Sequence, residues 1–198
     1  MTDAQTTSDS GIVQLTISPR IRRSPFYAAT VRDGVSHFTV YNKMLMPLSF
    51  GHLSAEYQRL MHGVAMWDVA VERQVEVSGP DAHALVQALS ARDLSSMQVG
   101  QGKYVAMCDH SGRLLNDPVL LKLSDRYWFS LADSDMLMWV RAIAAERGFN
   151  VEVCEPDVSP LAIQGPKAEA LAVKLFGEHV RAIKYFGCIE TDLHGIPL

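Results

Sequence analysis

Apolar and polar side chains alternate over residues 69–77, where Val69, Val71, Val75 and Val77 are separated by Ala70, Glu72, Gln74 and Glu76. A period of two predicts a strand with one buried face. Gly79-Pro80 ends it, and Pro80 suits the first position of a helix, where a missing N–H costs nothing. That helix would turn Leu85, Val86, Ala88 and Leu89 toward a core. Further strands are expected over 103–109 and 118–132, the second folded into a hairpin at Ser124-Asp125-Arg126. A helix over 134–147 should stop at Gly148, with a short strand at 151–153. Upstream, the pattern gives strands at 13–17 and 37–41, an apolar segment at 44–48, and a helix over 54–62 with Ser54 as N-cap. Residues 1–12 offer nothing to bury and read as a disordered tail.

The segment VSGPDAHALV at 77–86 recurs as IQGPKAEALA at 163–172. Both spell a strand, a Gly-Pro corner and an amphipathic helix, whether by internal duplication or by independent use of one corner. Two such units with antiparallel strands between them predict an α+β fold of ferredoxin-like character, its helices on one sheet face.

Composition narrows the function without naming it. With 48% hydrophobic residues the chain can build a substantial core. A net charge of -4 argues against general nucleic-acid binding, and the Arg20, Arg22, Arg23 cluster reads as a solvated turn. Cys108, Cys154 and Cys188 form no CxxC pair, so neither a disulfide framework nor a metal site is expected. No secretory leader or membrane span is legible, which makes the cytoplasm the expected location. Gly100-Gln-Gly102 precedes a strand where a dinucleotide fingerprint would follow one, and no nucleotide-loop, HExxH or GxSxG motif occurs. His110 sits in the turn composition Asp109-His-Ser-Gly112 without a second ligand nearby.

Three strings carry a resemblance: Gly79-Pro-Asp-Ala82, Gly112-Arg-Leu-Leu-Asn-Asp-Pro118 and Leu161-Ala-Ile-Gln-Gly-Pro-Lys167. In this order they resemble the folate-binding domain of the glycine-cleavage T-protein (aminomethyltransferase) superfamily, from about Ser18 onward. Trp67-Asp-Val-Ala-Val-Glu-Arg-Gln-Val-Glu76, Tyr41-Asn-Lys-Met-Leu-Met-Pro47, Ala132-Asp-Ser-Asp135 and Glu155-Pro-Asp-Val-Ser-Pro160 are similar to its dimethylsulfoniopropionate (DMSP) demethylase branch. The resemblance implies residues 13–53 as part of a first folate-binding subdomain, and 54–198 as a ferredoxin-like α+β subdomain returning toward it. It also implies a C-terminal domain beyond Leu198, absent from this sequence.

The implied reaction moves a methyl group from DMSP to tetrahydrofolate. The alternatives are another aminomethyl- or methyl-transfer of the same superfamily, or folate binding without turnover. DMSP would be the small-molecule partner, with neither nucleic acid nor membrane involved; a homodimer is left open. From the residues alone Asp117 reads as a turn aspartate beside Asn116, and only the resemblance, in which it matches the family's functional carboxylate, turns the reading toward function. Tyr104 matches a folate-contacting tyrosine, while Phe186 and Leu121 stand where the family has tyrosines. Met44 is a candidate pterin-lining residue. A sulfonium cation is attracted to aromatic faces, which brings in Tyr41 and Trp67; Trp139, on a helix with apolar spacing, reads as core.

Overall fold

Five strands form one antiparallel sheet, and two helices cover a single face of it. The structure is a computed structural model that describes residues 16–131 and 135–198. The expected tail, most of the 13–17 strand and the string 132–134 lie outside the described residues, and Thr16 and Ile17 are not in a strand. In chain order the elements are α1 (Tyr27–Arg32), β1 (His37–Tyr41), β2 (Met44–Ser49), α2 (Leu53–His62), β3 (Ala65–Asp68) and β4 (Gln74–Ser78). Next come α3 (Ala82–Leu89), β5 (Gln101–Tyr104), β6 (Met107–Cys108), β7 (Leu114–Asn116), β8 (Val119–Lys122), β9 (Arg126–Ser130) and α4 (Met136–Glu146). The last are β10 (Glu152–Cys154), β11 (Leu161–Gln164), α5 (Ala168–Phe176), a 3-10 turn (Glu178–Ala182), β12 (Asp192–Leu193) and β13 (Ile196–Pro197).

The main sheet has the order β10-β4-β9-β8-β5. Taken with α3 and α4, the run β4-α3-β8-β9-α4-β10 is a split β–α–β pair, so the ferredoxin-like class holds, with β5 added beside β8; its second unit is β9–α4 and not the Gly-Pro unit at 163–172, whose strand β11 pairs with β3 in a separate ribbon. Its core collects Val75 and Val77 from β4, Leu120 from β8, Tyr127 and Phe129 from β9, Leu85, Val86 and Leu89 from α3, and Val140 and Ile143 from α4. The 124–126 hairpin forms as expected, closed by the Leu123 N–H donating to the Arg126 carbonyl at 2.9 Å. Trp139 packs against this core, and the 3.6-residue spacing that marked it as apolar is the reason.

Several local expectations are corrected. The alternation at 69–77 is not one strand: β3 ends at Asp68, residues 69–73 turn, and β4 begins at Gln74. The turn is fixed by Asp68 Oδ1 accepting the Ala70 N–H at 3.2 Å and by Glu72 N–H donating to the Val69 carbonyl at 2.8 Å. Ala70 and Val71 stay buried because the β1–β2 hairpin covers them, so a buried turn imitated a strand's alternation. The 103–109 stretch divides into β5 and β6, and β6 leaves the main sheet to pair with β7. Ala88 is exposed, Pro80 precedes the N-cap Asp81, and Ser54 lies inside α2. At that helix start the N-cap is His52, which makes no side-chain cap hydrogen bond, and Glu56 Oε1 reaches back to accept the amides of Phe50 (2.9 Å) and His52 (3.3 Å).

The two Gly-Pro corners share one geometry. Gly79 and Gly165 have φ of 107° and 120°. Each accepts through its carbonyl the amide of the residue three on, at 3.1 Å from Ala82 and 3.0 Å from Ala168. A Cβ on Gly79 would meet the Asn150 carbonyl oxygen at 2.9 Å, and one on Gly165 the Gly63 carbonyl oxygen at 2.6 Å. Both sites need glycine twice over, for the backbone angle and for the close backbone approach. Gly165→Ala should therefore destabilise the fold by about 2 kcal/mol or more. Gly51→Ala is the control, since Gly51 has φ of 104° with nothing near its Cβ position. Thermal melts should place Gly165→Ala clearly below Gly51→Ala; equal melting points would mean the contact carries no cost.

The turn before β4 also holds a pH-sensitive group. Burial pushes the Glu72 carboxyl above the ordinary carboxylate range. A raised folded pKa means the native state favours the protonated acid. Its stabilising contribution is full below the ordinary glutamate pKa and lost as pH rises through the raised value. Glu72→Gln should melt above the wild type at pH 7, and the two curves should converge in acid.

Candidate functional site

The helix-free face of the main sheet follows from the same alternation that built the core. Where Val75 and Val77 point in, Gln74, Glu76 and Ser78 point the other way; where Tyr127 and Phe129 point in, Arg126, Trp128 and Ser130 do not. The strand register then lays out two rows. One runs Cys154–Glu76–Trp128–Leu121–Gly102, and the other Gln74–Ser130–Val119–Tyr104. Trp128, Glu76, Gln74 and Ser130 were not singled out from the sequence. The outward half of each alternating strand was the available signal, and it becomes a surface only once the register is known.

Tyr104 ends the second row and is 58% exposed. Asp117 lies two residues before Val119, the partner of Tyr104 across the β5–β8 pair, and is exposed. The Val105 N–H donates to the Pro118 carbonyl at 3.0 Å, tying the two segments together. The corner of the sheet thus brings Tyr104 and Asp117 to the same end. Phe186 joins them: its ring meets Tyr104 edge-on with centroids 5.1 Å apart. The Gly102 N–H donates to the Phe186 carbonyl at 2.6 Å, and a Cβ on Gly102 would meet both Leu121 Cδ2 and the Phe186 carbonyl oxygen at 3.1 Å. Phe186 holds φ of 56°, a left-handed backbone costing about 1–2 kcal/mol for a bulky residue.

The middle of the face is polar and tightly tied. The Trp128 indole N–H donates to Glu76 Oε2 at 2.7 Å, and Arg126 approaches the same carboxylate at 3.4 Å. Burial, then the nearby charges of Glu76 and Glu152, push the Cys154 thiol above its ordinary pKa, so it stays protonated at neutral pH. Gln74, only 5% exposed, donates through Nε2 to Ser130 Oγ and to the Glu72 carbonyl, both at 3.1 Å. Its Oε1 is buried with no hydrogen-bond partner among the described residues.

The other candidates sit elsewhere. Tyr41 is at the tip of the β1–β2 hairpin, next to Asn42, which donates to the Val71 carbonyl at 2.8 Å. That hairpin borders a small cleft of about 100 Å³ lined in part by Arg22, Lys43, Arg73, Asp135 and Glu155. Its charges are paired, Arg22 with Glu155 at 2.7 Å and Lys43 with Asp135 at 2.7 Å. Met44, 4% exposed, is taken up by a small apolar cluster with Ala70, Val71 and Met46. Trp67 faces Ala162 in the separate β3–β11 ribbon, half-buried, beside Asp68 whose carboxylate accepts from Ser24 Oγ. The structure therefore gathers Tyr104, Asp117 and Phe186 and leaves Tyr41, Met44 and Trp67 outside that group.

The profile of the GCVT N-terminal domain matches residues 26–198. The chain belongs to the GCVT N-terminal domain family. Among its relatives in this family, it is 49% identical over 182 residues to the dimethylsulfoniopropionate demethylase DmdA of Ruegeria pomeroyi, covering 91% of this chain and 50% of that protein. It is 30% identical over 145 residues to an aminomethyltransferase of Caldanaerobacter subterraneus subsp. tengcongensis, covering 71% of this chain and 39% of that one. Among solved structures, the glycine cleavage system aminomethyltransferase T from Bartonella henselae superposes with a TM-score of 0.75 at 20% identity, over 88% of this chain and 48% of that chain. That likeness is one of fold. The chain spans about half the length of the DMSP demethylase it matches. No helix among the described residues is long and apolar enough to cross a membrane.

Proposed function

We propose that this chain supplies the sheet face on which a tetrahydrofolate-dependent demethylation of DMSP takes place, giving methylthiopropionate and 5-methyltetrahydrofolate. The observation that carries this reading is an exposed carboxylate, Asp117, at the same corner of the helix-free sheet face as the exposed Tyr104. It occurs in a GCVT-domain chain 49% identical to a protein named DMSP demethylase.

The residues present suit a reduced pterin. Gln74 brings a buried carbonyl oxygen without a donor, Ser130 a hydroxyl, and Tyr104 and Phe186 aromatic surface. A buried acceptor left unpaired costs about 1–3 kcal/mol, which a ligand N–H reaching it would relieve. When bound, tetrahydrofolate supplies the N5 nucleophile that receives the methyl group as the sulfonium sulfur leaves as a neutral thioether. The work left to the chain is positioning: holding the ring against Tyr104 and keeping donor and acceptor in line. Asp117 orients the ring and takes the proton that N5 releases.

The test is incubation of the protein with tetrahydrofolate and either DMSP or an aminomethyl donor, following the folate products by mass spectrometry. Methylthiopropionate and 5-methyltetrahydrofolate in equal amounts are expected from DMSP. Methylenetetrahydrofolate from the aminomethyl donor alone would replace this reading with aminomethyl transfer. Tight folate binding without turnover of either donor would replace it with a binding role.

A further inference from the structure

One guanidinium touches both sides of the helix-free face. Arg126, at the start of β9, aims Nη2 at Glu190 Oε1 (2.7 Å), Nη1 at Asp125 Oδ1 (2.6 Å) and Nε at Glu76 Oε2 (3.4 Å). Its Cζ lies 5.5 Å from the centroid of the Trp128 ring, whose N–H donates to the same Glu76 carboxylate. Three nitrogens thus face three carboxylates, one from β4, one from the β8–β9 turn and one from the segment after the 3-10 turn. The Arg126 side chain is only 26% exposed. An isolated exposed ion pair holds little, but a guanidinium shared among several charges and stacked on an indole is a fixed junction.

Glu190 is the outer anchor of the segment that carries Phe186. That segment runs beside β5 through the Gly102–Phe186 hydrogen bond and through Cys188 N–H donating to the Gly100 carbonyl at 2.9 Å. Past Cys188 the Glu190 side chain carries the attachment, accepting from Arg126 and from Ser124 Oγ at 3.4 Å. From Thr191 the backbone pairs with itself, Thr191 and Leu198 exchanging hydrogen bonds of 2.9 and 2.8 Å. The row Glu76–Trp128–Leu121–Gly102 ends on a glycine, and Phe186 lies over it: a Cβ on Gly102 would be 3.4 Å from Phe186 Cδ1. Trp128 and Phe186 therefore stand on one face two strand spacings apart, roughly 10 Å, with Leu121 between them. The left-handed backbone of Phe186 persists only where its surroundings over-determine it, and the two attachments on either side do so.

We propose that Arg126 is a positioning residue: through Glu190 and Glu76 it holds the Phe186 segment and the Trp128 ring at a fixed separation, and that separation sets the affinity of the face for a flat ring ligand. The inference rests on the folate reading above and adds what fixes the geometry of the site. The shape of the guanidinium matters as much as its charge. A lysine at 126 would bring its charge to one carboxylate and leave the junction open.

Hydrogen-exchange mass spectrometry of the free protein, run beside calorimetric titration with tetrahydrofolate, tests it. In Glu190→Gln the amides of residues 186–190 should exchange about tenfold faster than in the wild type. Tetrahydrofolate should bind that variant about tenfold more weakly, while turnover at saturating folate stays within about twofold. Its melting temperature should stay within about 2 °C of the wild type. Arg126→Lys should reproduce the faster exchange and the weaker binding despite its charge, and combining the two substitutions should add little to either effect. Unchanged exchange in Glu190→Gln, additive effects in the double variant, or wild-type behaviour of Arg126→Lys overturns the assignment. Faster exchange with unchanged folate affinity also overturns it, because the segment would then be anchored without setting the site. Those outcomes leave the folate reading standing, whereas no folate binding by the wild type overturns both.

Discussion

Asp117→Asn should lower the rate of methyl transfer by about 10²–10³-fold while leaving the melting temperature within about 2 °C of the wild type. The carboxylate is exposed at the corner of the sheet, so its loss removes no buried ion pair. Asparagine keeps the shape and the local hydrogen-bonding capacity of a turn residue but cannot take a proton at neutral pH. The reading of Asp117 as a turn aspartate makes the opposite forecast, with turnover preserved and any change falling on stability. Single-turnover methyl transfer followed by mass spectrometry, with a thermal melt of the same preparation, separates the two. Normal turnover in the variant would remove Asp117 from the reaction.

Phe129→Ala should destabilise the chain by about 3–5 kcal/mol. Phe129 is fully buried at the centre of β9, between Val75 on β4 and Leu120 on β8. Both flanking strands and α3 converge there, so the cavity left by the ring has few ways to close. Domains of this kind have a total stability of about 5–15 kcal/mol, so the loss would be a large share of it. Urea denaturation followed by circular dichroism should show a much lower midpoint. A loss under about 1 kcal/mol would mean that the core collapses onto the space, contrary to the packing described.

The split β–α–β arrangement was legible in the sequence to an unusual degree because its devices are local. The Gly-Pro corner at Gly79, the stop at Gly148 and the 124–126 hairpin each rest on the conformational preference of a few adjacent residues. The misreadings share one cause. Ala70 and Val71 are buried by a hairpin from earlier in the chain, and the 103–109 run breaks where Val105 bonds to Pro118. Each depends on a neighbour distant in sequence, which no local period reports.

The site divides in the same way. Asp117, Tyr104 and Phe186 were found through matching strings, and the fold brings them to one corner. Met44 was selected for its chemistry, and tertiary packing spends it in an apolar cluster. Trp128, Glu76, Gln74 and Ser130 became visible only through pairing, since a strand's outward residues define a surface only when their cross-strand partners are known. The Arg126 junction lies further still from sequence reasoning. Glu76, Arg126 and Glu190 come from distant parts of the chain and meet only because β4 pairs with β9 and the segment carrying Phe186 folds back along β5. By itself, then, the sequence determined the helix-covered core of β4, α3, β9 and α4 and the corners that join them, because those follow from short-range sterics and periodicity. Only the tertiary structure decided which polar and aromatic residues share a surface, because strand register and long-range return of the chain set those distances.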